Sequence, residues 1–124
     1  MNIEELIKNM SIRPRMYVLS VKVEVIDSFI RGFLYSDRIR YDNYVFDYAS
    51  ADCVFASFFD KWVFQWVINN INKDYKLESL SWTVMLKSVT KDEDEAVKLF
   101  FLLSDIFFQC FHEKAPDYWE GISY

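Results

Sequence analysis

Apolar residues recur at helical spacing along most of the chain. Ile3, Leu6, Ile7 and Met10 lie three and four residues apart. Asn2 stands where an N-cap belongs, and Glu4 and Glu5 fill a first turn in which the helix dipole favours negative charge. A short helix is predicted here, ending before Pro14, because proline has no amide N–H and holds Arg13 in extended geometry. Ser20 offers the next N-cap. Val23, Ile26, Ile30, Phe33 and Leu34 then share one face, with Lys22, Glu24, Asp27 and Arg31 opposite, which predicts a second, amphipathic helix. Gly32 within it weakens the helix by about 1 kcal/mol relative to alanine, which implies close approach of another backbone.

Residues 37–50 carry charges and rings but no stripe. Tyr44, Val45 and Phe46 could form a short strand, but it would have no partner, so the segment reads as an irregular, exposed connection ending at a Ser50 cap. Phe55, Phe58, Phe59, Trp62, Val63, Trp66 and Val67 then define a third helix. Val54, Phe64, Ile68 and Ile71 lie off that stripe, and a helix apolar over most of its circumference belongs at the centre. Asn69, Asn70, Asn72, Lys73 and Asp74 end it, since short polar side chains compete for backbone hydrogen bonds. A fourth helix is predicted from near Glu78 through Leu80, Trp82, Val84, Met85, Leu86 and Val89. The fifth follows Thr90 and an acidic first turn, Asp92 to Glu95, and carries Val97, Phe100, Phe101, Leu103, Phe107, Phe108 and Phe111. Lys98, Asp105, Gln109 and His112 form its solvent edge. The tail after Pro116 is expected to be non-helical, with Tyr118 and Trp119 docked on the bundle. The reading is one all-α domain over residues 1–124: a compact bundle of about five helices, the third and fifth meeting through aromatic side chains.

Composition narrows the functional classes. A chain that is 52% hydrophobic and 19% aromatic has too much to bury to be disordered, and two glycines and two prolines are too few for a turn-rich β fold. With 14 Lys+Arg against 19 Asp+Glu, the net charge of −5 disfavours direct nucleic-acid binding. Met1 to Met10 does not resemble a secretory signal, and the longest apolar run, Leu99 to Leu103, falls far short of the roughly 20 residues a membrane span requires. Cys53 and Cys110 sit in apolar helical patterns and read as reduced core thiols, which places the chain in the cytoplasm. Neither has a neighbouring cation to activate it. The single histidine, His112, lies on a solvent edge without a nucleophile. No CxxC or HExxH spacing offers metal ligands, and neither Gly32 nor Gly121 belongs to a phosphate-binding loop. Glu24, Asp27 and Asp60 fall on polar helix faces. Neither enzymatic activity nor a cofactor is expected.

One segment stands apart: Arg13-Pro14-Arg15-Met16-Tyr17-Val18 between two helices. Physically it reads as a rigid corner, with Pro14 fixing the turn and Met16 and Tyr17 inserted under the bundle. A similar corner occurs near the start of gyrase-B-type ATPase subunits, whose ATP lid and metal-coordinating helix have no counterpart here. A longer resemblance runs from this corner through Phe29-Ile30-Arg31-Gly32-Phe33, Phe59-Asp60-Lys61-Trp62-Val63 and Ser81-Trp82 to Asp94-Glu95-Ala96 before a Phe-rich helix. In that order the chain resembles a family of small helical bacterial proteins, many of them immunity proteins encoded beside contact-dependent growth inhibition or other polymorphic toxins. It departs from the family at Arg15 and Leu19, where glycine is expected. The resemblance implies a protein that binds and blocks a cognate toxin C-terminal domain in the bacterium that makes it.

A carboxylate-rich surface suits such a role when the toxin is a basic nuclease, because it can occupy a phosphate-binding cleft and steer association. The first candidate surface comprises Asp37, Asp42 and Asp47 with Tyr41, Tyr44 and Tyr48. A second is Asp92, Glu93, Asp94 and Glu95, which equally suits a solvated, dipole-stabilising first turn. A third is Asp117, Tyr118, Trp119 and Glu120. The alternative function is a homodimerising assembly module whose acidic residues keep it soluble.

Overall fold

Asn2 starts the first helix as its spacing predicts: its side chain accepts the Glu5 N–H at 3.0 Å, and α1 spans Ile3–Ile12. In this computed structural model, which describes residues 1–36 and 45–124, a 3-10 turn over Pro14–Met16 follows. The corner is anchored differently from the sequence expectation. Val18 is buried and the Tyr17 ring meets Phe29 edge-on at 6.0 Å, whereas Met16 points outward and is 70% exposed. In a 3-10 turn successive side chains point about 120° apart, so Met16 and Val18 face different ways.

Helix α2 spans Val23–Ser36. Ser20 does not cap it. The Val23 N–H instead donates to Glu93 Oε1 at 2.7 Å, so a carboxylate from the far half of the chain satisfies the helix start. Gly32 is exposed, and a Cβ built there would meet nothing within 4 Å. Among the described residues no backbone approaches it.

Helix α3, Ala51–Asn70, begins where Ser50 accepts the Cys53 N–H at 3.2 Å. Helix α4 is Trp82–Ser88, shorter than the apolar pattern predicts, because Ser81 caps it and Leu80 lies outside it, 59% exposed. Helix α5, Glu93–Glu113, is capped by Asp92, which accepts the Glu95 N–H at 2.9 Å. The tail is helical after all: α6 spans Pro116–Glu120. Pro116 occupies the first helical position, where its missing N–H is no loss and its fixed φ is preorganised.

α3 and α5 meet through rings. Phe59 stacks on Phe55 at 4.4 Å and takes Phe100 and Phe107 edge-on at 5.9 and 5.3 Å, while Trp82 of α4 stacks on Phe100 at 4.3 Å. Trp119 of α6 closes this cluster against Phe107 at 5.0 Å and is 1% exposed. Rings in these edge and offset arrangements add about 0.5–1.5 kcal/mol per pair beyond their buried area. α1 packs on α3 and α5, with the Ile3 N–H donating to Asp52 Oδ1 at 2.7 Å. Among the described residues no helix is long and apolar enough to cross a membrane.

Candidate protein-binding surface

Asp47 and Tyr48 are the members of the first acidic patch among the described residues; Asp37, Tyr41, Asp42 and Tyr44 lie outside them. A tight turn presents Asp47. Its carboxylate accepts the Ala49 N–H at 2.9 Å and its carbonyl the Ser50 N–H at 3.0 Å, which leaves the residue exposed just ahead of the α3 cap. Phe46 and Tyr48 turn the other way. Their rings meet edge-on at 4.7 Å and both lie against Phe58, which in turn contacts Trp119 at 5.8 Å.

This packing joins two stretches that are distant in sequence. The Tyr48 hydroxyl donates to Glu120 Oε1 at 2.9 Å across a separation of 72 residues. Desolvation and then that carboxylate raise the phenol above its usual pKa of 10.0, so it stays a donor. Asp47 and Tyr48 of the first stretch and the third stretch therefore form one face, with Asp47, Asp117 and Glu120 exposed around half-buried aromatic rings. Of the other two members of the third stretch, Trp119 is core, whereas Tyr118 accepts the Trp62 Nε1–H at 3.2 Å.

The second patch lies at the opposite end of α5, about 30 Å away at 1.5 Å per residue. Half of it is employed within the fold: Asp92 caps α5 and Glu93 caps α2, leaving Asp94 and Glu95 exposed. Nearby, Lys87 donates to Glu24 and holds its carboxyl below the usual value.

Two further polar clusters carry no sequence signal, because their members come from different helices. Asp27 accepts the Trp82 Nε1–H at 3.1 Å and the Arg31 Nε–H at 2.8 Å, and Asp60 accepts the Trp82 backbone N–H at 2.8 Å. These groups line a cavity of about 130 Å³. Burial first, and then the Asp27 charge, raise the Asp60 carboxyl above its ordinary value; the Trp82 N–H and Arg31 oppose this. Donors and acceptors here satisfy one another, so the cluster ties α4 to α2 and α3. On the other side, buried Glu4 meets His112 Nε2 at 2.8 Å and Lys8 Nζ at 3.0 Å, joining α1 to the solvent edge of α5. Both cysteines are free: Cys53 is buried, but Cys110, expected in the core, is half-exposed. Among the described residues no group of three or more His, Cys, Asp or Glu side chains is placed to hold a metal ion.

No family model, curated protein or solved structure matches the chain.

Proposed function

We propose that this chain is an immunity protein that binds a cognate toxin C-terminal domain in the cytoplasm of the producing bacterium and neutralises it. The observation that carries the reading is the composite face of Asp47, Tyr48, Asp117 and Glu120, where carboxylates surround rings already fixed by packing. Rigid aromatic area loses little entropy on binding and the charges steer a basic partner, the combination that a nuclease with a phosphate-binding cleft would meet most tightly. The resemblance in the Arg13–Val18 corner and the helices after it supplies the toxin as partner. Co-expression with the toxin domain encoded immediately upstream tests this: growth is expected to be restored, and the absence of rescue despite soluble expression would overturn it.

The assembly-module reading draws on a different observation. Ile12, Met16 and Leu19 at the corner are 74%, 70% and 97% exposed, a concentration of apolar surface that self-association could cover. Light scattering across a concentration series separates the two readings, since an immunity protein that acts as a monomer keeps a constant mass.

A further inference from the structure

Trp66 differs from the other three tryptophans. Trp62, Trp82 and Trp119 all pack against rings in the core. Trp66 is half-buried, and among the described residues its ring has no aromatic partner and its indole N–H no acceptor. It lines a cleft of about 500 Å³ between α3, the C-terminal half of α5 and residues 121–123. Such a volume falls within the range of small-molecule sites.

The lining is chemically unusual for this chain. Of its residues 27% are charged, yet none of the described residues that line the cleft is. Carboxamides take their place. Gln65 donates through Nε2 to the Ser123 carbonyl at 2.5 Å, and Asn70 through Nδ2 to the Trp66 carbonyl at 2.9 Å, so each keeps its amide oxygen as an acceptor. Asn69 has both ends of its amide available among the described residues. The wall formed by residues 121–123 is held in place, because Tyr124 donates to the Leu80 carbonyl at 3.0 Å and its ring meets Phe64 at 5.7 Å.

We infer that the Trp66 cleft binds an uncharged nucleoside, its base lying against the indole and its rim paired with the Gln65, Asn69 and Asn70 amides. An indole face accepts any flat heterocycle, and carboxamides present the paired donor and acceptor that a base edge requires. The charge pattern selects within that class. With no cation in the lining and a net charge of −5, a phosphate has nothing to neutralise it. A sugar on its own, rich in hydroxyls, is best held by carboxylate acceptors, and the lining offers none. The cleft borders the Asp47–Glu120 face through Tyr118 and Gly121 but none of Asp47, Tyr48, Asp117 and Glu120 lines it, so loss of nucleoside binding would leave the toxin-binding reading standing.

The intact protein supports two readouts: indole fluorescence, and alkylation of half-exposed Cys110 by iodoacetamide with buried Cys53 as internal control. Adenosine, guanosine, cytidine and uridine are titrated separately, alongside AMP, methyl glucoside and N-acetyltyrosine amide. At least one nucleoside is expected to quench fluorescence saturably and slow Cys110 alkylation, with AMP weaker and the other two without effect. Trp66→Ala should weaken that binding roughly ten-fold or more, as expected for loss of a base–aromatic stack. Exposed Asn69→Ala should weaken it several-fold in a protein of unchanged helicity, which keeps the test decisive if Trp66→Ala is poorly folded. No response to any nucleoside up to its solubility limit would overturn the inference. So would stronger binding of the glucoside or the tyrosine amide, or binding unchanged in Asn69→Ala and in a folded Trp66→Ala.

Discussion

A methyl group at position 32 would sit in open space on the solvent side of α2. Gly32→Ala is therefore expected to stabilise the protein by up to about 1 kcal/mol, since it restricts the unfolded chain and favours the helix without a clash. Thermal melts check this, and a lowered midpoint would contradict it. Asp60 acts in the opposite sense. Its folded carboxyl holds a proton more tightly than the ordinary value of 3.8 allows, so its contribution to stability is present below that value and is lost as pH rises through the raised one. Asp60→Asn keeps an acceptor for the Trp82 N–H without the charge. It should gain on the native protein as pH climbs from about 3.5 to 7, whereas Asp60→Ala, which loses the acceptor, should cost about 1 kcal/mol. Urea titrations at several pH values measure the differences, and parallel curves for native protein and Asp60→Asn would refute the assignment. Which caps were legible follows from distance along the chain. Asn2 and Ser50 bond to amides three residues on and could be read directly; Asp92 does the same but is hidden in a run of four acidic residues that reads as the first turn, and Asp60 and Glu93 reach amides 22 and 70 residues away.

Between elements, the joint of α2 and α5 rests on Glu93. Glu93→Ala should cost about 1 kcal/mol and accelerate hydrogen exchange at the Val23 amide, Glu93→Gln should retain most of the stability, and exposed Asp94→Ala should stay within about 0.5 kcal/mol of native. Equal effects at positions 93 and 94 would mean that the cap contributes nothing. Apolar positions repeating at helical spacing made α1, α2, α3 and α5 legible. Helix α6 was not, because five residues are too few for a period and Pro116 was read as a breaker instead of a first helical residue. Leu80 extended the apparent α4 because an apolar residue looks the same in sequence whether its side chain is buried or, as here, exposed.

Over the whole molecule, the two exposed acidic patches lie towards opposite ends of α5 among the described residues, and the prediction concerns only one. Asp47→Asn combined with Glu120→Gln should slow association with a basic toxin domain and flatten its dependence on ionic strength, with little change in dissociation. Stopped-flow mixing at several salt concentrations measures this; unchanged association rates would move the interface off that face. The all-helical, aromatic-centred architecture could be read from composition and periodicity. The composite face could not, because no local pattern reveals that residue 48 ends beside residue 120. That junction constrains how the molecule is made. Until residues 119 and 120 have been made, Tyr48 has no Glu120 to meet and Phe58 no Trp119 to lean on. The earlier helices therefore cannot complete this joint on their own, and it forms only once both stretches are present.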